Sequence, residues 1–253
     1  VVPTWVKEML EKGFTTFYKH DNGDSYYYDN GEYKLIERNK KAISLKQLKA
    51  KNGVLKKNSG ASLIDLGDGI LCLEFHSKSN AIGMDITQMI NYAVDEVEKN
   101  YKGLVIGNQS KKFCVGANLA MILMEAQDDN YFEIELVVKN FQDAMTKIKY
   151  SSKPVVAAPY GMTLGGGTEV CLPAASIQAS SETYMGLVEV GVGLIPGGGG
   201  NKELYIKHLN KMANGVEFDL QKVANKVFET VAMAKVSTSG QEAVSHNFLG
   251  DKD

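Results

Sequence analysis

The sequence lacks an excess of charge of either sign. Among its 253 residues, 28 lysines and arginines nearly balance 30 aspartates and glutamates, which leaves a net charge of -2. Without a basic excess, no nucleic-acid partner is expected. No run of about 18 apolar residues occurs, and no apolar stretch follows basic residues at the N-terminus, so neither a membrane span nor a signal peptide is predicted. These absences favour a cytoplasmic protein.

Cysteine is scarce, and the pattern of metal ligands is missing. The three cysteines, Cys72, Cys114 and Cys171, stand in apolar surroundings without C-x-x-C spacing. Their odd number and placement indicate reduced thiols in or near the core rather than a disulfide framework. The four histidines are far apart in sequence and lack ligand spacing, so each is expected to be structural or at the surface. No metal site is predicted.

The common nucleotide and nucleophile motifs are absent as well. No Gly-Lys-Ser/Thr sequence occurs, and the glycines at 197–200 follow Pro196 without the spacing of a Rossmann turn. No Gly-x-Ser-x-Gly is present, so a serine nucleophile is not indicated. No bound cofactor is therefore expected within this chain.

The first 60 residues have a character of their own. Thr4 is placed to cap a short apolar helix that Gly13 ends. Three consecutive tyrosines then lie between Asn22-Gly23 and Asn30-Gly31, which predicts a hairpin. The lysine-rich stretch from Arg38 to Lys57 is interpreted as a partly ordered linker rather than a nucleic-acid-binding arm, because acidic residues elsewhere balance it.

From Ala61 the pattern becomes regular. Two apolar runs, Ser62 to Leu66 and Ile70 to Phe75, flank Asp68-Gly69 and predict another hairpin. Apolar side chains at helical spacing follow, from Ile86 to Val97 and again from about Tyr131 to Ile148. Continuous apolar runs at 103–107 and 154–158 predict buried strands. Strands that alternate with helices predict an α/β domain.

Three glycine-rich segments, 113–118, 161–169 and 186–200, each join a strand end to a helix in this prediction. Glycines let a backbone approach a ligand closely, and N–H groups at a helix N-terminus favour negative charge, as an oxyanion hole requires. Two of the segments place a lone carboxylate among apolar residues, Glu169 and Glu189. A carboxyl group in such surroundings tends to have a raised pKa, as a general acid near neutral pH needs. For any single segment, ordinary turns and solvated surface glutamates would be the simpler interpretation.

In this order and spacing, Phe113 to Leu119, the Gly165 to Glu169 run and the Glu189 to Gly200 stretch resemble the crotonase superfamily. The similarity covers roughly Ala61 to Asp253. The resemblance implies an α/β fold of the crotonase-like ββα spiral type at residues 61–253. Residues 1–60, which it does not cover, are expected to be the tail of a preceding domain plus a linker. The resemblance also implies that the crotonase-like domain is truncated at its C-terminus.

The resemblance also implies a chemistry. In the family, two backbone N–H groups polarise a CoA thioester carbonyl, and these match Ala117 and Gly166. Two glutamates hold a water and move its proton in enoyl-CoA hydratases, and these match Glu169 and Glu189. Hydration of a trans-2-enoyl-CoA in fatty acid β-oxidation is therefore expected, and which glutamate is the acid stays open because two close carboxyl groups titrate as a coupled pair.

For the CoA part of the substrate, the resemblance implies contacts from two segments. Ser79, Asn80 and Ala81 would surround the adenine, and Asn118, Leu119 and Ala120 would lie near the pantetheine and phosphates. Asn118 and Ala120 depart from the acidic and basic residues found there in some hydratases, which puts phosphate contacts in doubt. Pro173 should shorten the helix that carries Glu169.

Other interpretations stay open. A Δ3-Δ2-enoyl-CoA isomerase often works with a single carboxylate, so the two glutamates favour hydration. A non-catalytic acyl-CoA-binding domain is the third possibility. Residues 1–19 resemble the tail of 3-hydroxyacyl-CoA dehydrogenases, which implies a bacterial fusion whose NAD site lies outside this chain. The expected partners are an acyl-CoA thioester and either further copies of the chain or other domains of the same polypeptide.

Overall fold

The structure is a computed structural model that describes residues 2–21, 23–37, 42–51, 53–211 and 219–253. The chain divides into two compact units, Val1–Val54 and Leu55–Asp253. Helices and strands are mixed along the chain, which confirms the predicted α/β class. The assignment of residues 1–60 and 61–253 to domains of a longer protein stays a prediction.

The described residues of the first unit form α1 (Thr4–Glu11), β1 (Tyr18–Asp21), β2 (Asp24–Asp29), β3 (Glu32–Leu35) and α2 (Leu45–Ala50). The strands form an antiparallel sheet in the order β1-β2-β3. The sequence predicted one hairpin, whereas the structure has two, because the tyrosine-containing strand β2 pairs with β1 on one side and with β3 on the other. Asn30 and Gly31 of the second turn have φ values of 49° and 104°, the left-handed backbone that Asn-Gly favours. Asn22 of the first turn lies outside the described residues.

Two details of the first unit differ from expectation. Pro3, not Thr4, precedes the first turn of α1, and Thr4 is already helical. Proline suits this position because its missing N–H would have no partner within the helix. In the lysine-rich stretch, α2 begins after Ser44, whose hydroxyl accepts a hydrogen bond from the N–H of Gln47. Residues 38–41 and 52 of that stretch lie outside the described residues.

The remaining described strands, which apart from Val54 belong to the second unit, are β4 (Val54–Lys57), β5 (Ala61–Gly67), β6 (Ile70–Phe75), β7 (Gly103–Ile106), β8 (Val155–Ala157), β9 (Gly161–Leu164), β10 (Ser176–Ile177) and β11 (Thr183–Gly186). Six of them form a sheet in the order β10-β8-β7-β6-β5-β4. The predicted hairpin of β5 and β6 turns at Asp68-Gly69, with φ values of 56° and 82°. From β6 to β10 the neighbours are parallel, and their near-continuous apolar side chains are buried, as parallel strands require.

The described helices of this unit are α3 (Met84–Asn100), α4 (Leu119–Gln127), α5 (Tyr131–Lys149), α6 (Gly166–Cys171), α7 (Gly200–Asn210), α8 (Leu220–Ala232) and α9 (Gly240–Ser245). Of these, α3 packs against β5, β6 and β7 of the sheet, and α6 packs against β8. The predicted helices at 86–97 and 131–148 are α3 and α5. Ile86, Ile90, Val94 and Val97 of α3 are buried in the core together with Ile148 of α5. The helix α6 ends at Cys171, two residues before Pro173, as the sequence predicts.

A second, two-stranded parallel sheet places the candidate site. In it, β9 pairs with β11, from Gly161 against Thr183 to Leu164 against Gly186. Immediately beyond the strands, the N–H of Gly165 donates to the carbonyl of Gly186 across 2.8 Å. Because the carboxyl ends of parallel strands lie side by side, the segments that follow them, with Glu169 and Glu189, begin next to each other.

Candidate active site

Ala117 and Gly166 carry two backbone N–H groups at a close approach of two chain segments. Ile82 forms a short parallel bridge with Ala117, in which the N–H of Ile82 donates to the Gly116 carbonyl and the N–H of Asn118 donates to the Ile82 carbonyl, each across 2.8 Å. This pattern leaves out the N–H of Ala117. A β-carbon on Gly166 would lie 3.4 Å from the Ala117 nitrogen, so the two residues are neighbours.

Neither of these two N–H groups has an acceptor within the described residues. Ala117 is exposed, and Gly166 is the first residue of α6, where an N–H group has no partner inside the helix. Two adjacent, unpaired donors at a helix N-terminus suit an oxygen that gains negative charge. The arrangement has the geometry that the predicted oxyanion hole needs, and the role itself stays a prediction.

Glu169 lies in α6 and points toward the start of α7. Its side chain is almost fully buried, with 4% exposed, and its Oε1 accepts a hydrogen bond from the N–H of Gly200 at 2.8 Å. Burial raises the pKa of Glu169 to about 7, and the charge of Glu189 adds to this. The N–H groups of Gly200, Gly198 and Gly199 oppose the rise because they favour the ionised form.

Glu189 begins a single 3₁₀ turn, Glu189–Val192. Both of its carboxylate oxygens are buried and, among the described residues, neither has a hydrogen-bond partner. Burial raises its pKa, although the nearby backbone N–H groups of Glu189 and Val188 act in the opposite direction. Buried polar atoms are rarely left without a partner in folded proteins, so this carboxyl group is a candidate to bind a ligand.

Gly165 connects the two parts of the site. Its φ is +53°, and an added β-carbon would lie 3.2 Å from Oε1 of Glu189 and 3.8 Å from the α-carbon of Gly116. Glycine is needed there both for the left-handed backbone and for the close approach. Gly165 therefore lies between the Glu189 carboxyl group and the segment that carries Ala117.

The two glutamates interact electrostatically, since the charge of Glu189 raises the pKa of Glu169. Two nearby buried carboxyl groups resist ionising together. Such a pair can supply a general acid and a general base at the same pH. The two segments that carry the glutamates, 161–169 and 186–200, therefore lie close together.

The six predicted substrate-binding residues flank the hole. Ser79 is exposed, Asn80 is buried and Ala81 lies between them in exposure, in the turn before Ile82. Asn118, Leu119 and Ala120 are exposed at the start of α4, on the other side of Ala117. The bridge between Ile82 and Ala117 brings the two groups together. That these residues contact CoA stays a prediction.

The structure adds residues that the motifs did not single out. Thr168 is fully buried, and its hydroxyl lies 2.7 Å from the carbonyl of Thr163 and 3.0 Å from that of Gly186. The glycines at 198–200 face Glu169, where a β-carbon on Gly198 would lie 2.7 Å from Oε2. The glycine run after Pro196 predicted that the backbone there lies close to another group, but the sequence alone did not identify that group as Glu169.

The cysteines are buried thiols. All three cysteines are unpaired and buried, as predicted, and burial raises the pKa of Cys114 to about 12, so its thiol stays neutral. Across the described residues no cluster of three or more His, Cys, Asp or Glu could hold a metal ion. Within the same residues no helix has the length and apolar character that a membrane crossing requires.

Solved structures share this fold. An enoyl-CoA hydratase from Bacillus anthracis superimposes with a TM-score of 0.61 over 75% of this chain and 68% of its own, at 22% sequence identity. An enoyl-CoA hydratase from Polaromonas sp. JS666 gives a TM-score of 0.62 over 76% and 72%, at 21% identity. At this level of identity the likeness extends to the fold alone, which confirms the crotonase-like architecture.

Relatives in sequence are longer than this chain. A Bacillus subtilis protein named "Probable 3-hydroxyacyl-CoA dehydrogenase" is 66% identical over 252 residues, which are 100% of this chain and 31% of that protein. A Rickettsia felis protein, whose name describes a trifunctional enzyme of a fatty acid oxidation complex, is 33% identical over 72% of this chain and 25% of its own length. The chain thus spans about a third or less of these two relatives.

The family comparison covers the hole and both glutamates. The model of the family described as enoyl-CoA hydratase/isomerase matches residues 66–218, more than half of the chain. A short-chain-enoyl-CoA hydratase from Clostridium acetobutylicum is 30% identical over 49% of this chain and 48% of its own. With its fold and its matched residues, this chain belongs to the enoyl-CoA hydratase/isomerase family, the crotonase superfamily.

Proposed function

We propose that this chain hydrates trans-2-enoyl-CoA thioesters to 3-hydroxyacyl-CoA. The observation that carries the proposal is the placement of the buried carboxyl groups of Glu169 and Glu189 beside the unpaired N–H groups of Ala117 and Gly166, with the charge of Glu189 raising the pKa of Glu169. The donors suit a thioester oxygen, and the carboxyl pair suits a water molecule and its protons. Membership of the family supports hydratase-type chemistry more broadly.

The hole starts the reaction. Hydrogen bonds from Ala117 and Gly166 draw electron density toward the thioester oxygen, so the β-carbon of the conjugated double bond becomes electrophilic. A water held by the two carboxyl groups is then close to that carbon and correctly oriented for attack. The donors are already in position before the charge develops, so little reorganisation is needed.

The glutamates complete the proton balance. The water oxygen bonds to the β-carbon, one carboxylate accepts the proton that the water loses, and the protonated carboxyl group gives its proton to the α-carbon. The double bond becomes a single bond, and the pair again holds one proton. Either glutamate can begin as the acid, and the pKa of about 7 for Glu169 lets it serve in either form near neutral pH.

Crotonyl-CoA tests the proposal. Hydration removes the conjugation of its double bond, so the ultraviolet absorbance of the thioester falls, and mass spectrometry shows the gain of one water. Turnover of a 3-enoyl-CoA with no reaction of crotonyl-CoA would instead identify an isomerase. A protein that binds acyl-CoA but converts neither substrate would be the non-catalytic domain.

The longer relatives suggest the setting of the reaction. We infer that this chain is the hydratase section of a polypeptide that also carries a 3-hydroxyacyl-CoA dehydrogenase, in cytoplasmic fatty acid β-oxidation. The name of the B. subtilis relative supports this, because a dehydrogenase would consume the 3-hydroxyacyl-CoA that hydration makes. The NAD would then bind outside these 253 residues. Crotonyl-CoA-dependent reduction of NAD by the full-length protein, abolished when Glu169 is changed to Gln, would support the assignment.

A further inference from the structure

Asn80 is a buried polar side chain close to the hole that does not belong to the glutamate pair. Only 2% of it is exposed, so its amide is directed into the protein. It follows Ser79, and both have left-handed backbones, with φ values of 57° and 55°. Two successive non-glycine residues in this conformation are costly and persist where the surrounding contacts hold them.

The amide of Asn80 holds the segment that leads to Ala117. Its Nδ2 lies 2.8 Å from the hydroxyl of Ser110, 2.9 Å from the carbonyl of Lys112 and 3.1 Å from the carbonyl of Phe113. Asn108 also donates to the Phe113 carbonyl, at 3.0 Å. The Phe113 carbonyl thus accepts hydrogen bonds from two asparagine amides, and the Asn80 amide also bonds to Ser110 and Lys112.

A second set of contacts lies close to the first. Two residues after Asn80, Ile82 makes the two backbone hydrogen bonds that flank Ala117. Three residues after Phe113, Gly116 accepts one of them. The segments 80–82 and 113–118 are therefore joined at both ends, by a side-chain amide at one and by a backbone bridge at the other. The position of the Ala117 N–H depends on both.

We infer that Asn80 is a positioning residue for the oxyanion hole: its amide fixes residues 112–113 against the turn before Ile82 and so sets the direction of the Ala117 N–H. The inference rests on the proposed function and gives a role in it to a residue that does not touch the reacting atoms. It also explains why an asparagine occupies a left-handed position, since asparagine adopts this backbone more readily than most residues and supplies two amide hydrogens.

Asn80→Gly and Asn80→Asp separate the parts of this role. Glycine keeps the left-handed backbone without strain and removes the amide, while aspartate keeps the shape and replaces the donor with an oxygen. We expect each to lower kcat on crotonyl-CoA by roughly ten- to a hundredfold, the loss typical of a small misplacement, with a smaller change in KM. Asn100→Ala is the matched control, because its exposed amide bonds only to Glu96 in the described structure, and it should retain full activity.

A spectroscopic measurement distinguishes positioning from general loss of structure. Unreactive butyryl-CoA, with carbon-13 at its thioester carbonyl, should show a lowered carbonyl stretching frequency when bound to the wild type, and a smaller lowering in both Asn80 variants. The pH profile set by the glutamates should stay in place. If the Asn80 variants fold and keep both the full frequency shift and the wild-type kcat, the inference about Asn80 is wrong while the proposed function stands. A wild type with neither a shift nor turnover would overturn the proposed function itself, and the inference with it. If Asn80→Asp does not fold, Asn80→Gly decides.

Discussion

The N–H of Gly200 donates a hydrogen bond to Oε1 of Glu169 across 31 residues of chain, at 2.8 Å. Gly200 is the first residue of α7, so the N-terminus of that helix faces a buried carboxyl group. Burial alone would favour a protonated Glu169, whereas the helix N-terminus favours the carboxylate. Burial and the charge of Glu189 together outweigh the helix N-terminus and raise the pKa to about 7, where both forms are populated at neutral pH.

Glu169→Gln and Glu189→Gln are each expected to lower kcat on crotonyl-CoA by roughly 10²- to 10⁴-fold, the usual contribution of a general acid or base. Glutamine keeps the size of the side chain but neither gives nor takes the proton. Glu229→Gln is the control, since Glu229 is exposed and its ion pair is with Lys235. Full activity in both site variants would remove the glutamates from the mechanism and favour the non-catalytic alternative.

The raised pKa of Glu169 also predicts how stability depends on pH. Its pKa is about 7 in the folded state and near the ordinary 4.5 in the unfolded state, so the folded state holds the proton more tightly. The stabilisation is complete below about pH 4.5 and is lost as the pH rises through 7, by at most about 3 kcal/mol. The free energy of unfolding of the wild type should fall relative to that of Glu169→Gln between about pH 5 and pH 8. A constant difference across that range would contradict the pKa.

Gly198→Ala tests the packing behind Glu169. The added methyl group would contact the ring of Phe141 and lie 2.7 Å from Oε2 of Glu169. Both must move, so we expect a loss of about 1–3 kcal/mol in the free energy of unfolding together with a lower kcat. Gly191→Ala is the comparison for stability, because no atom lies within 4 Å of its added methyl group. Equal free energies of unfolding for the two variants would show that the backbone around Gly198 shifts to accommodate the methyl group without loss of stability.

Much of the fold was predictable because local signals decide it. Asp68-Gly69 adopts the left-handed turn that the dipeptide favours, and the apolar spacing of α3 and α5 marks their buried faces. The sequence predictions were wrong where the structure depends on contacts with neighbouring segments. The strand β2 pairs on both sides, which its own residues do not indicate, and Pro3 takes the place at the start of α1 that Thr4 was expected to have.

The candidate site was predictable as a set of residues but not as a set of contacts. Glu169 and Glu189 could be singled out because carboxylates are rare among apolar residues and glycines. That Gly200 bonds to Glu169 depends on how α7 packs against α6, a contact between residues distant in sequence. The same holds for Asn80, whose hydrogen-bond partners lie 30 to 33 residues away.

Thr168 gives the last prediction, because its hydroxyl joins the two segments that carry the glutamates. It lies 2.7 Å from the Thr163 carbonyl and 3.0 Å from the Gly186 carbonyl, and it can accept from the Gly186 N–H at 3.3 Å. Thr168→Val keeps the shape but leaves buried backbone groups with fewer partners, so we expect a loss of about 1–3 kcal/mol in the free energy of unfolding.

Catalysis should suffer as well in Thr168→Val, since Gly186 lies three residues before Glu189 and Thr168 immediately precedes Glu169. Thr168→Ser keeps the hydroxyl and should recover most of the activity and stability, apart from the small cost of the missing methyl group. Urea denaturation and crotonyl-CoA kinetics on both variants make the comparison. If valine keeps the stability and activity of the wild type and serine does not, the methyl group and its packing, not the hydrogen bonds, hold the two segments together.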